Sequence, residues 1–128
     1  MSDTPVNLRY MVSDVQASVD WYVGNLGFTA LPNASPAFAA VERGPLRLLL
    51  SGKGSSAGRP MPDGQQPAPG GWNRFQVICE DIAAEVERLR GKGVTFRNDI
   101  IRGPGGAQIL AEDPSGNVVE LFQPAALF

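Results

Sequence analysis

Apolar and polar residues alternate along Asn7–Val12, and helical spacing takes over immediately after Asp14. Period two sends successive side chains to opposite faces of a strand, whereas a 3.6-residue period gathers positions three and four apart onto one face. Val15, Val19, Tyr22 and Leu26 follow the second rule, so a strand and then a helix with one apolar face are predicted. The same grammar returns later in the chain. Asn7–Val15 aligns without gaps on Arg74–Ile82, each an alternating run that ends in an acidic residue, Asp14 or Asp81, and then a β-branched one. Aspartate there suits a helix N-cap, its carboxylate accepting from the first free N–H groups. Ile82, Val86 and Leu89 again share a helical face, with Glu85, Glu87, Arg88 and Arg90 on the solvated side. Gly27 and Gly93 close the two helices, and an apolar strand start, Phe28 or Val94, follows each.

Two further strands are predicted in each half. In the first they are Ala37–Glu42 and Leu46–Leu50, joined by Arg43, Gly44 and Pro45; in the second, Ala107–Glu112 and Asn117–Phe122. Pro114 and Gly116 mark the second turn, the first presetting φ and the other accepting a positive φ. Gly103–Gly106 is rich in glycine but lacks the lysine and following helix of a phosphate loop, so a strand turn is expected. The order strand, helix, three strands therefore occurs twice, which points to an α+β domain with antiparallel pairing and helices on one face. Between the copies, Ser51–Gly71 is dense in Gly, Pro and Ser and nearly empty of large apolar residues. It reads as an exposed linker, with a lid over a site as the alternative. The expected organisation is one domain over residues 1–128, with modules at 5–50 and 72–124 and the linker or lid at 51–71.

Composition removes several classes of function. The formal net charge is -2, and the basic residues are scattered without a phosphate-binding stripe, so no nucleic-acid partner is expected. No apolar run approaches the roughly 20 residues that span a bilayer, and Met1–Pro5 has no basic or apolar segment of a secretion signal. A cytoplasmic location without membrane association is the expectation. The single cysteine, Cys79, excludes an intramolecular disulfide and is expected in the core, with no basic neighbour to activate it. There is no histidine at all, which rules out the triads built on imidazole.

Val12-Ser13-Asp14 with Trp21-Tyr22 and Leu26-Gly27-Phe28 resembles the first-half pattern of the vicinal oxygen chelate superfamily, which includes glyoxalase I, bleomycin-resistance proteins and extradiol dioxygenases. Glu80-Asp81-Ile82, Leu89–Val94, Glu112–Asn117 and Glu120-Leu121-Phe122 resemble the second half. The resemblance implies two β-α-β-β-β modules as curled mixed sheets, or half-barrels, with helices outside, a ligand cavity on the concave side and a homodimer. It also implies four metal-ligand positions, on the first and last strands of each half. Transferred by the repeat, those positions carry Asn7, Leu48, Arg74 and Glu120. One carboxylate and one amide fall short of a zinc or iron ligand set, and a guanidinium would stand where the cation belongs. No metal and no cofactor are therefore expected.

Alternation then assigns the inner face. Asn7 and Arg9 on the first strand, Arg74 and Gln76 with Trp72 on the strand of the second half, and Glu120 on the last strand become the candidate ligand-binding residues. Met11, Ile78 and Phe122 frame them. Two arrangements remain open: an Arg74–Glu120 ion pair that plugs the cavity, or a pocket of convergent polar groups with an apolar rim. The leading functional expectation is a metal-independent small-molecule-binding protein. The alternative is a lyase- or isomerase-type enzyme with Glu120 as catalytic general base and Arg74 assisting. A third is a structural or interaction module without ligand, in which the apolar tail Ala125–Phe128 covers a partner subunit.

Overall fold

A computed structural model of the chain describes residues 4–125. Residues 1–3 of the N-terminal stretch and residues 126–128 of the apolar tail lie outside the described residues. The chain forms two compact units, one ending at Gly70 and one beginning at Gly71.

In the first unit, β1 (Val6–Met11) leads into α1 (Val15–Leu26), then β2 (Thr29–Ala30), β3 (Phe38–Arg43) and β4 (Leu46–Ser51). Asp14 caps α1 as its type and position require, its carboxylate accepting from Ala17 N at 3.0 Å. Gly27 ends the helix at φ 71°, in the left-handed region that side chains with a Cβ resist. Val15, Val19, Tyr22 and Leu26 are all buried, as their spacing predicts. With Tyr10, Ala39, Val41, Leu48 and Leu50 of the sheet and Val12 just past β1, all buried, they form the core of this unit. Tyr22 is the centre of this core, fully buried and edge-on to Phe28 at 5.4 Å between ring centroids.

The second unit repeats the plan with β5 (Arg74–Ile78), α2 (Ile82–Gly91), β6 (Thr95–Phe96), β8 (Gly106–Glu112) and β9 (Val118–Pro124), and adds β7 (Ile101–Gly103). Asp81 caps α2 through Ala84 N at 3.1 Å. Ile82, Val86 and Leu89 are buried on the sheet, where Val77, Ile109, Ala111, Val119 and Leu121 complete the core.

The element order alone points to antiparallel pairing, and this needs correction. Each sheet is mixed, in the order β1-β4-β3-β2 and β5-β9-β8-β6, with β7 beside β8. The first strand of each half runs parallel to the last, because the intervening helix returns the chain to the starting end. The extra strand β7 arises at Gly103–Gly106, where the expected turn folds β7 back on β8. Among the described residues no helix is long and apolar enough to cross a membrane.

A register correction follows from the two hairpins. Arg43 pairs with Leu46 across a short turn, whereas Glu112 pairs with Val118 across Asp113–Asn117. The longer turn is held by buried Asp113, whose Oδ1 accepts from Ser115 N and Asn117 N, each at 2.9 Å. Superimposing the turn glycines therefore misplaces β4 by one residue. In the parallel pairs Arg9 lies opposite Leu49 and Gln76 opposite Glu120. Leu49, not Leu48, is the counterpart of Glu120, and Leu48 points into the core, fully buried.

Candidate functional site

Alternation along β5 turns Phe75 and Val77 toward α2 and leaves Arg74, Gln76 and Ile78 exposed. The neighbouring strand β9 places Glu120 directly opposite Gln76 and Phe122 opposite Ile78. This register brings three of the candidate residues together. Arg74 Nε donates to Glu120 Oε1 at 2.9 Å, and Gln76 Nε2 donates to Glu120 Oε2 at 2.7 Å. Arg74 Nη1 also reaches the Trp72 carbonyl at 3.3 Å. Glu120 is buried at 7% exposure, while the Arg74 side chain keeps 31% of its surface.

The charge balance of this cluster follows from its burial. A carboxylate removed from water loses hydration that must be replaced by donors. Glu120 has one on each oxygen, a guanidinium and an amide. A guanidinium carries five N–H donors, so the two bonds above leave Arg74 with further donors on its exposed side. Glu120 thus has a donor on each oxygen, and Arg74 keeps donors open. The Arg74–Glu120 ion pair, one of the two arrangements the sequence leaves open, is formed, with Glu120 buried and Gln76 exposed beside it.

Trp72 lies before β5 with 67% of its surface exposed, and Arg97 lies over its ring at 4.6 Å from the centroid. Arg97 is itself held from three sides. Its Nε meets Glu112 Oε2 at 2.8 Å, Nη1 the Gly71 carbonyl at 2.9 Å and Nη2 the Gly116 carbonyl at 3.0 Å. Sequence reasoning identified Trp72 and missed Arg97. Arg97 lies opposite Leu110 just past the β6–β8 pairing, and only its long side chain, reaching back to Glu112 and Gly116, gives it this place, so no local pattern pointed to it.

In the first unit, Asn7 and Arg9 occupy alternate exposed positions of β1, and Met11 follows at the strand end. Their register partners on β4 are Arg47, Leu49 and Ser51. Arg47 is a second arginine on this face that the misregistered repeat concealed. Cys79, expected in the core, is half-buried, with Sγ 3.6 Å from the Phe122 carbonyl.

The donor set can be tested against a metal. With Leu49 in place of Leu48, the four positions read Asn7, Leu49, Arg74 and Glu120, and a leucine side chain has no ligand atom. Both oxygens of Glu120 already accept hydrogen bonds, one of them from a permanent cation 2.9 Å away. A divalent ion on Glu120 would displace those donors and face the guanidinium. Among the described residues, moreover, no three of His, Cys, Asp and Glu cluster in a way that could hold a metal. These residues do not fit a divalent metal.

Comparison with known proteins follows the fold. The family model described as "Glyoxalase/Bleomycin resistance protein/Dioxygenase superfamily" matches residues 5–121. A solved antibiotic-binding protein, TnmS3 from Streptomyces sp. CB03234, is 26% identical, with 98% of each chain covered and a TM-score of 0.72. A member of the same superfamily from Sphaerobacter thermophilus is 25% identical, covering 96% of this chain and 98% of its own, with a TM-score of 0.73. Lactoylglutathione lyase from Agrobacterium tumefaciens also has a TM-score of 0.73, over 95% and 94% of the two chains, but at 19% identity it shares the fold alone. No curated protein matches the sequence.

Proposed function

This chain belongs to the glyoxalase/bleomycin resistance protein/dioxygenase superfamily, and from that membership we propose that it is a metal-independent small-molecule-binding protein. The observation that carries this reading is Glu120, whose two oxygens are taken by Arg74 and Gln76. The scaffold is kept, and the position that suits a ligand carboxylate to a cation holds a guanidinium-bound one. The open donors of Arg74 contact an anionic or carbonyl-bearing group of the ligand. Trp72 offers a ring face for a planar part, backed by the anchored Arg97. Within the second unit Glu120 orients Arg74 and Gln76 steadies Glu120; Asn7 and Arg9 are the exposed polar residues of β1 in the first unit. The antibiotic-binding relative at 26% identity supports small-molecule binding as the class. A general-base role for Glu120 is disfavoured, since its carboxylate is buried and engaged by the Arg74 guanidinium at 2.9 Å. The working form is a homodimer, as the superfamily resemblance supports.

A thermal-shift screen of the full chain against anionic and carbonyl-bearing small molecules tests the proposal. Ligands that stabilise the native chain are expected to lose most of their shift in Arg74→Ala. A ligand set whose shifts are all unchanged in that variant would place the binding site elsewhere.

A further inference from the structure

The segment after β4 has the composition of a linker, yet it is fastened to the first unit. Gly52 N donates to the Ala37 carbonyl at 2.9 Å. Ser55 then closes a turn in both directions, its Oγ donating to the Gly52 carbonyl at 2.6 Å and accepting from Gly58 N at 3.1 Å. A short 3-10 turn, Ser56–Gly58, follows, and Gly58 is buried. A Cβ on Gly58 would lie 2.2 Å from the Gly52 carbonyl oxygen, so the close approach needs glycine. The chain runs outward, reverses at Met61–Gly64, and is caught again where Gln66 Nε2 donates to the Gly58 carbonyl at 2.7 Å.

The returning arm Gln66–Pro69 forms one wall of a cavity of about 670 Å³ in the first unit. Met11 at the end of β1 and the Pro36–Ala37 bend form the opposite side. Small-molecule sites run to about 300–1,000 Å³ and are mostly apolar with a few polar groups. This one fits on both counts. Three of its lining residues are prolines, Pro36, Pro67 and Pro69, whose fixed φ leaves little freedom to be lost when a ligand seats. Among the described residues that line it, Lys53 is the only charged one, and no acidic side chain opposes it.

We infer that this cavity binds a compact, mainly apolar small molecule carrying a single anionic group. The apolar body rests between Met11, Pro36 and the proline arm, and the anion pairs with Lys53. The site goes beyond the function proposed above and shares none of the residues Asn7, Arg9, Trp72, Arg74, Gln76 and Glu120. The segment is then neither plain linker nor bare lid. It is a tethered wall whose position depends on the Gln66–Gly58 bond.

Two probes of matched shape test the inference on the full chain: 1-anilinonaphthalene-8-sulfonate, which is anionic, and uncharged N-phenyl-1-naphthylamine. Binding is followed by fluorescence and by the methyl resonances of 13C-methyl methionine, with Met11→Leu assigning the Met11 resonance by its loss. The Met11 methyl is expected to shift saturably with either probe. Lys53→Met is expected to weaken the anionic probe by about threefold to fivefold while leaving the neutral one unchanged, the size of a partly exposed charge pair. Ala68→Trp, which fills the cavity from an exposed wall position, is expected to weaken both by about tenfold or more. An unmoved Met11 methyl at saturating probe would overturn the inference, as would equal effects of Lys53→Met on the two probes. Lys53→Met and Ala68→Trp alter this cavity and Arg74→Ala alters the other site, so a failed Arg74 screen and a failed result here are separate outcomes.

Discussion

Glu120 and Arg74 are bonded to each other at 2.9 Å but stand in different surroundings, and this makes their losses unequal. Arg74→Ala leaves a carboxylate of 7% exposure with only the Gln76 amide as donor. Glu120→Gln leaves a guanidinium that is 31% exposed and can turn to water. Removing one partner of a buried pair is costly because of the charge left behind. With the discount that partial exposure requires, Arg74→Ala is expected to destabilise the chain by about 1–3 kcal/mol and Glu120→Gln by about 1 kcal/mol or less. Urea unfolding of the two variants measures the difference, and a larger loss for Glu120→Gln would contradict the assignment of burial. Both residues were legible in the sequence, since alternation sets their faces and the repeat locates them. Arg97 was not. Its role depends on the Gly71 and Gly116 carbonyls, which only folding brings within reach of one guanidinium.

The elements followed from short-range rules where those rules act alone. Caps at Asp14 and Asp81, the buried faces of α1 and α2, and the glycine-closed turns all match their residue patterns. Where pairing between distant strands decides, the pattern is insufficient. The parallel β1–β4 and β5–β9 ladders and the one-residue offset at Leu49 come from turn length, which composition does not register. The β7–β8 turn gives a sharp check on this scale. Gly106 has φ 142°, and a Cβ there would lie 2.1 Å from the Gln123 carbonyl oxygen, whereas a Cβ on Gly105 meets nothing within 4 Å. Gly106→Ala is therefore expected to cost more than about 2 kcal/mol and Gly105→Ala less than about 1 kcal/mol. Thermal unfolding of the pair reads this contrast, and similar midpoints would refute the close approach of β7–β8 to β9.

The chain forms two units built on one plan, and the repeat of that plan is visible in the sequence. Its consequence concerns the metal. With the register corrected, the four positions that the superfamily resemblance assigns to ligands carry an amide, a leucine, an arginine and a carboxylate bound by that arginine. The ionic balance at Glu120 is already met from within the protein. Elemental analysis of the full chain, purified without chelator and dialysed against metal-free buffer, tests this most directly. The account predicts zinc, nickel, iron, cobalt and manganese each far below one ion per chain, with unfolding unaltered by added divalent ions. One equivalent of any of these metals retained through dialysis, and lost on Glu120→Gln, would contradict it.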